Sequence, residues 1–346
     1  MFCLKGGIMR QAEVVATLGP ASSNKKMLLK MVEAGLDWVR INFSHGSLQE
    51  HQQQFQLIQD LKNDSKKQLK VMQDLEGFRI RVGRLEQDIK VERGDVFFLV
   101  AGSAQQKINE IPFDYHGSLD VFTQGSLIYI DDGKIVLEVI DRVEEKLKVK
   151  VNSEGSIGSR KGMNFPGIDL GFDSLSPKDR RDLKFGLENK VDFIAQSFVR
   201  NAADIINLKK IIKNNNHHPE IFAKIENQQA LDNIDEIIDN ADGVVVARGD
   251  LGVCVPIYKI AVIQKGIIKK SLAAGKPVLV ATQLLDSMTT EVMPTRAEVT
   301  DVTNAIFDGA TGLLLSAETA IGKHPHKVIE MINKIICYSE QNISKL

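Results

Sequence analysis

The chain has 346 residues, enough to bury a large core as one α/β domain or two smaller ones. Lys plus Arg (44) nearly equal Asp plus Glu (45), so no excess of either sign points to nucleic acid or an anionic membrane as partner. The three cysteines, Cys3, Cys254 and Cys337, are odd in number and widely spaced, with no C-x-x-C pair, which suits a reducing compartment better than a disulfide framework or a zinc site. "MFCLKGGIMR" is too interrupted for a signal peptide's apolar core, so a soluble, cytoplasmic protein is expected.

In chain order, Val- and Ile-rich runs alternate with stretches of helical spacing. The strand candidates are 13–19, 38–44, 69–75, 191–199, 220–226, 242–250, 277–285 and 311–317. "NKKMLLKMVEAG" reads as a helix closed by glycine, and "SPKDRRDLKFGLENK" opens with Ser then Pro as helices do. Strands buried on both faces with helical crossovers imply a parallel sheet, and eight βα units imply a closed (β/α)8 TIM barrel.

One connection departs from this rhythm. Residues 83–163 alternate apolar and polar positions between Gly and Asp turns, which reads as a small antiparallel β domain inserted after the third strand. Without it about 265 residues remain, near the ~250 typical of such a barrel. The expected domains are therefore 1–82 and 164–346, forming the barrel, with 83–163 between them. "KNNNHHPE" reads as a loop, with His217 and His218 solvated.

Active sites of these barrels lie at the C-terminal strand ends, so polar residues count there. The second strand ends with Arg40, Asn42 and Ser44, followed by His45, and the third with Asp74. The fifth carries Lys224 and Glu226, whose spacing of two puts both side chains on one face. The sixth ends at Arg248 and Asp250, the seventh passes through Thr282, and the eighth ends at Ser316 and Glu318. A lone K-x-E would be a self-satisfied ion pair, but cations, carboxylates and hydroxyls converging from six strands exceed that explanation.

The permitted chemistry is narrow. Glu226 and Asp250 supply hard oxygen ligands suited to Mg²⁺. Gly249 allows close backbone approach to a ligand, and Arg40 and Lys224 can neutralise phosphoryl oxygens. Phosphoryl transfer needs little beyond position and positive charge. Neither G-x-x-x-x-G-K-[ST] nor G-x-G-x-x-G is present.

The blocks "ATLGPAS" (16–22), "VRINFSHG" (39–46), "IDDGKI" (130–135), "GSRKGMNFPG" (158–167), "KIENQQALDNIDEII" (224–238), "GVVVARGDLGV" (243–253), "GKPVLVATQLLDSM" (275–288), "PTRAEVTDVTNAIFDG" (294–309) and "LSAETAIGKHP" (315–325) resemble the signature blocks of pyruvate kinases. The resemblance runs from about residue 12 to residue 335. It implies a barrel with a mobile β-barrel lid after the third strand, acting on phosphoenolpyruvate and ADP/ATP with Mg²⁺ or Mn²⁺. It assigns Glu226 and Asp250 to the metal, and Lys224 to the phosphoryl group in flight and the enolate. Arg40 goes to phosphate, and Gly249, Asp250 and Thr282 to the phosphoenolpyruvate pocket, with Thr282 also near proton delivery. His45, Arg81 and Lys161 fall on the nucleotide side. Asn42, Ser44, Asp74 and the Leu75 carbonyl correspond to a monovalent-cation position. Asp131 and Asp132 either face the cleft or make the D-G turn. A homo-oligomer through the barrel domain is also implied.

The departures define further expectations. "DLEGFRIRVG" (74–83) stands where the family commonly has Asp-Thr-Lys-Gly-Pro-Glu-Ile-Arg-Thr-Gly, and Ala317 replaces a usual glycine. Arg79 falls where potassium-requiring members have glutamate, so K⁺ is expected to be dispensable, its charge replaced by the guanidinium. The alternative is that Arg79 points outward to Glu76 or the lid. Most members continue beyond the eighth helix, so a short form without the C-terminal regulatory domain is expected. Competing readings are a weakly catalytic phosphoenolpyruvate-binding sensor and a metal-dependent pyruvate-enolate lyase.

Overall fold

The structure, a computed structural model, describes residues 10–64, 68–102 and 108–345. Cys3 lies outside them. Among the described residues, no helix is long and apolar enough to cross a membrane.

Eight parallel strands close into a barrel: Glu13–Thr17, Trp38–Asn42, Lys70–Asp74, Phe193–Gln196, Glu220–Ile225, Gly243–Ala247, Val278–Ala281 and Gly312–Leu315. The first pairs with both the eighth and the second, which completes the ring. All eight fall inside the runs expected from the sequence, and all are shorter. The helices between them start where local chemistry directs. Asn24 caps Lys25–Glu33 by accepting the Met27 amide, and Ser176 with Asp179 forms a capping box ahead of Pro177–Glu188.

The interior of the barrel is divided by height. Trp38, Phe193 and Phe222, near the strand starts, plug the bottom: Trp38 stacks on Phe193 at 4.0 Å, and Phe222 meets both rings edge-on. Because side chains alternate, the residues two and four further along share that inward face. They are Arg40 and Asn42 after Trp38, Ala195 and Ser197 after Phe193, and Lys224 and Glu226 after Phe222. A dry floor thus carries a polar rim.

Between the third and fourth barrel strands, short strands form a six-stranded sheet and a two-stranded ribbon with a core of their own. The expected antiparallel pattern holds for most of it. Val96–Ala101 and Glu110–Phe113 pair in parallel instead, so the segment is mixed. His217 also differs from expectation: it is half-buried and its ring nitrogen lies 2.6 Å from the Val191 carbonyl, so it fastens a loop.

Candidate active site

The rim encloses a cavity that brings together Arg40, Asn42, Ser44, His45, Asp74 and Arg79 with Lys224, Glu226, Asp250, Thr282 and Ser316. At its centre is Lys224, whose ammonium lies 2.9 Å from Glu226, 3.2 Å from Asp74 and 2.7 Å from the Ser197 hydroxyl. Burial opposes its charge, but the Asp74 and Glu226 carboxylates outweigh burial and hold its pKa above the ordinary lysine value. Asp74 is buried as well, yet Lys224 and Arg40 keep its carboxyl below the usual range. Arg40 donates to Asp74 at 2.6 Å and to the Thr17 hydroxyl at 2.8 Å.

Glu226 and Asp250 form the second centre. Burial, reinforced by the Asp250 charge, pushes the Glu226 pKa up against the pull of Lys224. One Glu226 oxygen accepts the Phe198 amide at 2.8 Å. Asp250 has a buried Oδ1 that makes no hydrogen bond and is faced only by the Arg79 guanidinium at 3.5 Å, too long to satisfy it. Two adjacent carboxylates with an unsatisfied oxygen suit an oxygen-seeking divalent ion.

Asp250 does not extend the sixth strand as expected. That strand ends at Ala247, and Arg248–Cys254 is already helical. The turn aims Arg248 away from the cavity, onto Asp301 at 2.7 Å and the Thr282 carbonyl at 2.6 Å, so its work is to clasp loops. Gly249 packs so closely that a Cβ there would sit 3.1 Å from the Thr282 methyl. Glu318 is likewise structural, buried and accepting the Ser316 and Leu285 amides.

The monovalent-cation position is internally satisfied. Asn42 Oδ1 accepts the Ser44 amide, Leu75 O accepts the Ser197 hydroxyl at 2.6 Å, and Asp74 is shared by two cations. Arg79 reaches neither Glu76 nor Asp74. Its guanidinium lies 3.5 Å from Asp250 and 3.7 Å from Asp132, against Gly162. Glu76 instead takes Arg81 at 3.2 Å and Lys178 at 3.5 Å.

Arg81 and Lys161 lie outside the cavity lining, on paired chain segments at the base of the inserted sheet, where Lys161 meets Asp131 at 3.0 Å. Burial, then Arg81, Arg79 and Arg40, hold His45 below the ordinary imidazole value against the pull of Glu76. Asp131 and Asp132 both have left-handed backbones, at φ 53° and 55°, so they make the turn as well as facing these cations.

Sequence reasoning missed Ser197 and Phe198. Ser197 joins Lys224 to the third strand, and Phe198, at φ 54°, turns its amide onto Glu226. The available signal was parity, since Ser197 follows Phe193 and Ala195 at intervals of two.

The family model for the pyruvate kinase barrel domain matches residues 9–329. The chain belongs to the pyruvate kinase family. The pyruvate kinase of Thermotoga maritima is 40% identical over 336 residues, covering 97% of this chain and 72% of the relative. That of Thermococcus litoralis is 39% identical, covering 96% and 70%. That of Bacillus licheniformis is 38% identical, covering 97% and 58%.

In this pyruvate kinase barrel Cys254 stands one helical turn beyond Asp250. Burial, then the Asp250 and Glu226 charges, push its thiol up to about 12. At pH 7.5 its thiolate fraction should be on the order of 10⁻⁴ or less. Iodoacetamide at that pH is expected to leave the peptide carrying Cys254 unmodified in native protein and to label it after denaturation. Rapid native labelling, mapped by mass spectrometry, would contradict this.

Proposed function

We propose that the chain transfers the phosphoryl group of phosphoenolpyruvate to ADP, giving ATP and, after protonation of the enolate, pyruvate. The observation carrying this reading is the Lys224 ammonium, kept charged by Asp74 and Glu226 at the centre of the cavity. The family membership makes the chain a phosphotransferase, and neither the sensor nor the lyase reading has an observation in its favour.

A divalent ion, Mg²⁺ or Mn²⁺, held by Glu226 and Asp250 would neutralise and orient phosphoryl oxygens as a Lewis acid. Lys224 stabilises negative charge as it passes from phosphate to enolate. Arg40, fixed by Asp74 and Thr17, holds phosphate oxygens. Gly249 lets the substrate approach the backbone. Thr282, which lines the cavity, serves the proton delivery to the enolate in this reading. His45, Arg81 and Lys161 receive the nucleotide, and segment 83–163 closes as a lid. In this reading the activity is cytoplasmic.

Potassium is not required in this reading. The groups of the monovalent-cation position are engaged by Arg40, Lys224 and Ser197, and Arg79 adds a permanent charge nearby. A homo-oligomer assembles through the exposed apolar turn Ile257, Tyr258 and Val262 on the barrel, each more than 70% exposed.

Lys224→Met is expected to lower turnover roughly 10²–10³-fold or more while phosphoenolpyruvate binding changes little. Steady-state kinetics of pyruvate formation decides, and equal turnover in the two proteins would sink the mechanism. In buffer free of sodium and potassium, added KCl at matched ionic strength should leave wild-type turnover unchanged, whereas Arg79→Glu should create a potassium requirement. Wild-type activation of about tenfold, equivalent to ~1.4 kcal/mol of barrier, would refute the substitution. Light scattering should give a multiple of the chain mass, reduced to one chain by Tyr258→Asp; a monomeric wild type would end the oligomer reading.

A further inference from the structure

Behind the wall that carries Ser197 and Phe198 lies a second cavity, of about 120 Å³. One side is built from chain entering and leaving the inserted sheet, including Phe78, Phe165, Ile168 and Phe172. Phe198 and Cys254 of the barrel contribute to the other. The Phe78 and Phe172 rings stack with centroids 4.4 Å apart and planes within 10°. Tyr115 meets Phe172 edge-on at 5.9 Å, which fixes that ring from behind. An apolar cavity of roughly 150 Å³ is known to hold one benzene ring. At about 120 Å³ the space is somewhat smaller than that, so it suits a single aromatic ring whose substituent lies outside, at the solvent-exposed mouth.

The charges around it are unbalanced. Asp169 and Asp173 both contribute to the lining and are exposed to solvent. The two cations there are already committed. Arg200 is bidentate to Asp204, at 2.9 and 3.1 Å, and its nearest approach to Asp169 is 3.9 Å. Arg79 faces Asp250 and Asp132. Among the described residues Asp173 has no ion-pair or hydrogen-bond partner, which leaves a net negative mouth over an aromatic interior.

We propose that this cavity binds a small aromatic ammonium ion, its ring among Phe78, Ile168 and Phe172 and its cation at Asp169 and Asp173. The site touches the reaction through its wall. The Phe198 amide holds Glu226 at 2.8 Å and the Ser197 hydroxyl holds Lys224 at 2.7 Å, while residues 163–174 lead out of the inserted sheet. An occupant bridges these two bodies. It ties the exit of the sheet to the barrel and lowers turnover without entering the reactants' cavity.

The test uses the full chain and 2-phenylethylammonium, with 3-phenylpropan-1-ol and 3-phenylpropanoate as neutral and anionic counterparts, titrated calorimetrically. The ammonium should bind about tenfold more tightly than the carboxylate. Ile168→Trp, which fills the cavity, should abolish binding. Asp169→Asn with Asp173→Asn should remove the charge preference, and this surface pair decides the matter if Ile168→Trp fails to fold. At saturating phosphoenolpyruvate and ADP, the bound ammonium should lower wild-type turnover. Equal binding of all three compounds, binding retained in folded Ile168→Trp, displacement by phosphoenolpyruvate, or full occupancy with unchanged turnover would each overturn the proposal. The binding arms use no catalytic readout, so they stand or fall separately from the assigned reaction.

Discussion

A lysine ammonium inside a barrel must be neutralised, and the neutralisation of Lys224 organises the rest of the site. Desolvating an isolated charge costs several kcal/mol or more, so the ion is tolerable only with partners at hydrogen-bond distance. Asp74 and Glu226 supply them at 3.2 and 2.9 Å. That creates a second charge to settle: Arg40 answers Asp74, and Arg79 stands 3.5 Å from Asp250. Three cations thus face three carboxylates, Asp74, Glu226 and Asp250. A divalent cation entering together with a phosphate dianion leaves that balance unchanged. The site is therefore built to accept both at once more readily than either alone.

The geometry that delivers these charges comes from strand parity. With Trp38, Phe193 and Phe222 committed to the floor, alternation alone brings Arg40, Ser197 and Lys224 to the rim. This made most of the barrel and much of the site legible in the sequence. Val- and Ile-rich runs separated by helical patterns define eight strands, and the polar residues at their ends name the rim. The illegible part was of another kind. Sequence periodicity does not report that the backbone leaves the sixth strand at Ala247, so Arg248 looked like a rim cation when its guanidinium clasps Asp301. Nor does it report the positive φ of Phe198, which turns an amide beside an ordinary aromatic residue into a ligand-holder for Glu226.

The inserted segment shows the same division. Alternation and D-G turns announce strands, but pairing partners depend on contacts distant in sequence. The parallel pairing of Val96–Ala101 with Glu110–Phe113 has no local signature.

The altered block at 74–83 looks in isolation like an accumulation of substitutions, and in three dimensions its residues are individually compensated. Leu75 is buried while its carbonyl accepts from Ser197, so a side-chain oxygen there is not needed for the local network. Glu76 finds Arg81 and Lys178. Phe78 stacks on Phe172 at the exit of the inserted sheet. Arg79 lies against Gly162, where a Cβ would come within 3.0 Å of its Nε, and faces both Asp250 and Asp132. Val82 is fully buried in the core of the inserted segment. Gly77 keeps the block flush with the wall, since a Cβ there would lie 2.8 Å from the Phe198 ring. Reversing the charge at position 76 alone would set a cation beside Arg81 and Lys178, and reversing it at 79 alone would add a carboxylate to Asp250 and Asp132. The two positions carry opposite signs because each meets its own oppositely charged partners, so the block is matched to its surroundings residue by residue.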